Sequence, residues 1–311
     1  LNNTIMKNSI KLLSNLFLVG IIISCFSNDV KAQDVLSVEE MNSVYKKELT
    51  LNKKVQAYTP LREADVMWSR KIWREIDLRE KMNHPFYYPE NDGVGATTGD
   101  RRSLIDVIYS AIKEGSITAY GNAAIDDEFR EPMTQEEIKK IGGAKEEIVE
   151  VIDWDAVAAG ADPEEAKTNT LVKTEFNRNT IKKWRLKEEW FFDKQYSNMQ
   201  VRIIGLAPLQ EDRDEVTGRL TGSFSPLFWV HFPEAREILI NAEVFNSVKN
   251  DAERRTYDDL FWKRMFNSTI TMEANVANRR INEYMVGLDA LLEAERIKAE
   301  IFNIEHDLWE Y

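Results

Sequence analysis

The chain has 311 residues, 30% of them charged, with a formal net charge of −12 at pH 7. An acidic body of this kind repels phosphate backbones, which sets nucleic-acid binding aside. Cys25 is its single cysteine, so no internal disulfide framework is available, and a chain of this length can bury enough surface to stand without one.

The opening residues read as an address. Lys7 and Lys11 precede a nearly uncharged apolar run over 12–26, and Val30-Lys31-Ala32 ends in a small residue. Positive start, apolar middle and small-residue exit predict a secretory signal peptide over 1–32. The apolar run is shorter than the roughly 20 residues of a membrane-spanning helix. Ile22-Ile23-Ser24-Cys25 is also, loosely, a lipoprotein box, which leaves lipidation at Cys25 open.

Residues 33–152 read as a mostly helical region. Ser37-x-x-Glu40 is a capping box ahead of Met41, Val44, Tyr45 and Leu49 at helical spacing. Trp68, Ile72 and Ile76 recur at steps of four, which predicts a second helix starting near Arg62. Pro85 and Pro89 interrupt it, so 83–89 reads as an extended aromatic arm presenting Phe86, Tyr87 and Tyr88. A loop over 93–100 leads to a helix over 102–114, with Leu104, Ile105, Ile108 and Ile112 inward and Gly115 as its stop. Thr134-x-x-Glu137 caps a short helix to about Ile141. The alanine-, acid-, glycine- and proline-rich stretch 153–170 predicts a linker.

The region 171–311 opens with strands. Segments 171–176, 181–192, 199–206 and 226–232 are rich in β-branched and aromatic residues, and turn chemistry separates them. Their short connections favour antiparallel pairing. Helices are predicted over 257–270, about 274–285, and 287–309. The fold class is therefore α+β: N-terminal helices, a central antiparallel sheet of about four strands, and C-terminal helices. Ala290, Ala294, Ile297, Ile301, Ile304, Leu308 and Tyr311 repeat at steps of four and three, a heptad seam. Such a seam packs either on its own sheet or against another subunit, so Ile297, Ile301, Ile304 and Leu308 are partner-interface candidates.

A search for chemistry returns no catalytic, cofactor or metal constellation. Gly93, Gly95 and Gly99 are spaced one residue too wide for a dinucleotide loop and follow no apolar strand. Glu188 and Glu189 point to opposite faces of a predicted strand; Glu189 and Asp193 share a face about 13 Å apart. A glycosidase pair needs about 5–9.5 Å. His84, His231 and His306 stand apart, with no paired-ligand spacing. The aromatic content is the positive anomaly. Trp184 and Trp190 sit in the charged segment 182–190, as interface anchors do, and equally as one face of a half-buried sheet does. Stacking on wall sugars is a third reading.

Several long strings carry a resemblance. They include Trp68-Ser-Arg-Lys-Ile-Trp73-Arg-Glu-Ile-Asp77, Pro85-Phe-Tyr-Tyr-Pro89, Trp184-Arg-Leu-Lys-Glu-Glu-Trp190-Phe-Phe-Asp193, Val201-Arg-Ile-Ile-Gly205, the run 250–265, and the ending Glu305-His-Asp-Leu-Trp-Glu-Tyr311. Together they resemble the gliding-motility family GldN, also called PorN. The resemblance implies a periplasmic, non-enzymatic subunit of the type IX secretion system. It also implies assembly into a ring with an outer-membrane lipoprotein, GldK or PorK, and an approach to the periplasmic part of GldM or PorM. The family has no catalytic residues to carry over. A secreted wall-polymer hydrolase and a carbohydrate-binding module stay as alternatives.

Overall fold

A computed structural model describes residues 53–90, 101–121, 127–141, 145–152, 167–174, 176–213, 219–245 and 253–307, all within the unit Glu48–Tyr311. The expected signal peptide, the helix after Ser37, the glycine loop 93–100 and Leu308 lie outside them.

The architecture is α+β around a seven-stranded antiparallel sheet. In chain order the strands are β1 (Val66–Asp77), β2 (Ala119–Tyr120), β5 (Ile181–Asp193), β6 (Asn198–Arg213), β7 (Leu220–Pro226), β8 (Trp229–His231) and β9 (Thr269–Glu273). Their spatial order is β2-β8-β6-β5-β1-β9, with β7 also on β6. Strands β3 (Lys145–Ile152) and β4 (Lys167–Thr174) form a separate antiparallel pair. The helices are α1 (His84–Tyr87), α2 (Leu104–Glu114), α3 (Gln135–Lys140), α4 (Phe232–Leu239), α5 (Tyr257–Trp262), α6 (Ile281–Tyr284) and α7 (Leu288–Asp307).

The helix boundaries follow local chemistry. Ser103 accepts from the Asp106 amide at the start of α2, and Gly115 ends it at φ 77°, a left-handed stop that suits a residue with no Cβ. The Thr134–Glu137 box opens α3 as expected. A second box, Thr256 with Asp259, opens α5.

Four elements depart from the expectation, one of them the helix predicted over about 274–285, of which only the turn Ile281–Tyr284 is helical. The helix predicted around Trp68, Ile72 and Ile76 is strand β1. A step of four keeps residues on one face of a strand as well as of a helix, and the intervening Arg70 and Arg74 share that face. The aromatic arm is a helical turn, α1, with Pro85 in the first-turn position where its missing N–H costs nothing. The helix predicted over 257–270 stops at Trp262, and Thr269–Glu273 pairs with β1 instead.

The long ladders fix the faces. Ile72, Arg74 and Ile76 stand opposite Glu188, Leu186 and Trp184. On that shared face two apolar clusters form. In one, Ile76, Trp184, Leu186, Leu206 and Val230 meet Ile108 and Ile112 of α2, Leu239 of α4 and Phe261 of α5. In the other, Ala290, Ala294, Ile297 and Ile301 of α7 meet Ile72, Ile270 and Ile281, with Trp68 and Trp190 at the margin. Fully burying an isoleucine side chain contributes about 1.5–3 kcal/mol, so Ile297 and Ile301 are substantial anchors. The opposite face carries Trp73, Ala207 and Trp229, with Phe129 laid over them. Among the described residues no helix is long and apolar enough to cross a membrane.

Candidate functional site

Between the two apolar clusters on the shared face runs a seam of buried charge. Glu188 of β5 is fully buried. Arg264, after α5, approaches it with both terminal nitrogens at 2.9 and 3.2 Å. Arg74 of β1 lies 3.4 Å away through Nε, and the Trp190 indole N–H donates to the same carboxylate at 3.1 Å. The Trp190 ring is also flanked by both guanidiniums, whose carbons lie 5.7 Å (Arg74) and 5.3 Å (Arg264) from its centroid. Burial pulls the Arg74 pKa below the ordinary arginine value, and Glu188 opposes that pull.

This seam floors a cleft of about 480 Å³ beside α7. Arg74, Trp190, Arg264, Glu295, Ala299 and Phe302 are among its lining residues. Arg264 also reaches a smaller cleft of about 200 Å³ at the exposed end of β6. There Tyr58 stacks on Trp262 with centroids 5.2 Å apart, and the guanidiniums of Arg202 and Arg236 face the Tyr58 ring at 5.0 and 4.5 Å. Arg236 is itself held by Asp258 through bonds of 2.7 and 3.2 Å. Burial raises the Tyr58 phenol above its ordinary pKa.

On the opposite face Lys187 is buried. It donates to the Asp127 carbonyl at 2.7 Å and lies 3.3 Å from the Asp127 carboxylate. The same carboxylate accepts from the Trp73 indole at 2.8 Å.

Several acids near these clefts and strands are thus engaged in holding the fold together. Glu188 holds two arginines, Asp258 holds Arg236, and Asp259 caps α5 while pairing with Lys53. Asp193 accepts from the Gln195 amide at 2.8 Å. Among the described residues no three or more acidic, histidine or cysteine side chains come together as a metal site would require.

The partner-interface candidates divide by burial. Trp184 is only 1% exposed, and Phe86, Ile297 and Ile301 are interior as well. Phe86 lies 5.2 Å from Phe261 and 6.1 Å from Tyr257, centroid to centroid. In this chain these four side chains fill the core and pack internally, with little surface to offer a partner. Tyr87, Trp190 and Ile304 are half-buried, and Tyr88 is exposed. The heptad seam of α7 therefore packs on its own sheet at Ala290, Ala294, Ile297 and Ile301.

What the sequence reading missed is the arginine set: Arg74, Arg202, Arg236 and Arg264. Arg74 carries a readable signal, since it alternates with Ile72 and Ile76 on one strand face. Arg264 does not, because only the tertiary fold brings it to Glu188.

The described residues thus form an α+β domain in which buried charges brace neighbouring elements against one another. The family model described as "Gliding motility associated protein GldN" matches residues 61–310. The chain belongs to the GldN family, a family of gliding-motility components. No curated relative matches it.

Proposed function

We propose that this chain is a non-enzymatic, periplasmic subunit of the type IX secretion and gliding apparatus. It works by assembling into a ring with the outer-membrane lipoprotein GldK or PorK and by meeting the periplasmic part of GldM or PorM. The observation that carries this reading is membership of the GldN family across 61–310. The braced charges at Glu188, Asp258 and Lys187 fit it, because each ties neighbouring elements together, as a subunit that acts through its surfaces requires.

Co-expression with the lipoprotein tests the proposal. The expected result is a co-purifying assembly far larger than either chain, together with loss of secretion in cells from which this chain is deleted. Separate elution of the two proteins with secretion intact in the deletion strain rejects it.

A further inference from the structure

We infer that the outer face of α7 is a docking surface for a basic amphipathic helix of another protein. Helix α7 is apolar on two sides. Its inner side, Ala290 to Ile301, is covered by the sheet. Leu288, Leu291, Leu292 and Phe302 lie on the other side, each more than half exposed, with Ala299 between them. At 100° per residue these five positions fall on a single stripe, broken midway by the exposed Glu295, and from Leu288 to Phe302 the stripe is about 21 Å long. An exposed apolar stripe of this length on a soluble surface marks an interaction site.

Charge selects the occupant. Along Leu288–Asp307 stand six acidic residues against two basic ones, Arg296 and Lys298. Both bases are already paired within the helix, Arg296 with Glu293 and Glu300, and Lys298 with Glu295. The flanks of the stripe thus present net negative charge. A second copy of this chain docked through the same stripe would set two acidic faces together, and an anionic lipid surface would be repelled. A helix with an apolar face and lysine or arginine flanks complements it in both respects.

The cleft gives the stripe an anchor point. Ala299 and Phe302 belong to both, so a large side chain of the docked helix can enter the cavity of about 480 Å³ over Trp190. The inference rests on the reading of this chain as a subunit that acts through its surfaces.

The test uses the purified full chain and two labelled synthetic helices of about 18 residues, one built of leucine and lysine, the other of leucine and glutamate. The leucine–lysine helix is expected to bind saturably, more weakly as salt rises. Leu292→Asp and Phe302→Ser are each expected to weaken it at least about tenfold with unchanged circular dichroism. Three results overturn the inference: no saturable binding, equal binding of the glutamate helix, or equal binding by both variants. A dimer of the chain that Leu292→Asp dissociates, or anionic vesicles captured through this face, also overturns it by naming a different occupant. In cells, secretion that survives Leu292→Asp but not deletion of the chain removes only this surface. Secretion that survives deletion removes the machine reading itself.

Discussion

The Phe129 ring occupies the space that a side chain at Gly205 would need. A Cβ built on Gly205 falls 2.5 Å from Phe129 Cζ and 3.2 Å from Trp229 Cε3. Phe129 adopts φ 60°, and its ring is wedged edge-on among Tyr120, Trp229 and His231. The sheet is bulged beside this point: Lys187 pairs with Gly205 and Glu188 with Ile203, leaving Ile204 unpaired. Gly205→Ala is therefore expected to lower stability by about 1–3 kcal/mol in urea unfolding, as overpacking does. Adding Phe129→Leu should recover part of that loss. A Gly205→Ala protein with wild-type stability would show that the ring is free to leave.

Glu188 holds two arginines in a buried seam, so neutralising it leaves positive charge in the interior without a partner. Glu188→Gln should cost about 3–5 kcal/mol, the scale for breaking a buried ion pair from one side. Replacing Glu188 and Arg74 together by leucine and methionine should cost less than Glu188→Gln alone. Unfolding midpoints for the three proteins decide the matter.

Trp184 fills the core and its indole nitrogen has no hydrogen-bond partner. Trp184→Ala is expected to destabilise by about 3–5 kcal/mol, while Trp184→Phe, which removes the unpaired donor and keeps most of the ring, should cost clearly less. Both effects belong to folding. A change in subunit association without any change in thermal midpoint would contradict this placement.

Acid should loosen the fold through specific carboxylates. The Arg79 guanidinium holds Asp77 below the usual carboxylate range. Burial works against ionisation of Asp259, yet Lys53 and the Thr256 donors outweigh it and hold that group low as well. A carboxylate with a depressed folded pKa contributes stability that is complete above its unfolded value of about 4 and is lost as pH falls through the folded value. Unfolding midpoints are expected to be level from about pH 7 to 5 and to drop below about pH 4. Lys53→Met should shrink the drop; an unchanged profile would mean that the Asp259 pair contributes nothing.

Much of this fold could be read from the residues, and the failures share a cause. Gly115 announced the end of α2, and Thr134 with Glu137 the start of α3, because capping is local chemistry. The strands β5, β6 and β8 showed in their aromatic and β-branched content. The α+β class followed, although seven strands replace the expected four. Strand β1 escaped because a step of four among Trp68, Ile72 and Ile76 satisfies two periodicities at once. The arginines between them find Glu188, Glu273 and Glu300 only in three dimensions. The same limit governed the site: a run such as Trp184 to Trp190 marks a half-buried sheet and an interface alike, and only packing separates them. Trp184 turned inward, and the exposed stripe of α7 lay on the side that the heptad count passed over.

The antiparallel ladder from Val66 opposite Asp193 to Asp77 opposite Lys183 has a mechanical corollary. Its hydrogen bonds run across the strands. A tug directed along β1 strains every rung of that ladder simultaneously, in shear, and β9 grips the same strand from its other side. Two-residue β2, at the far margin of the sheet, can only peel away rung by rung. Traction delivered along the central strands is borne by the whole ladder, whereas a sideways pull on the β2 margin meets little resistance.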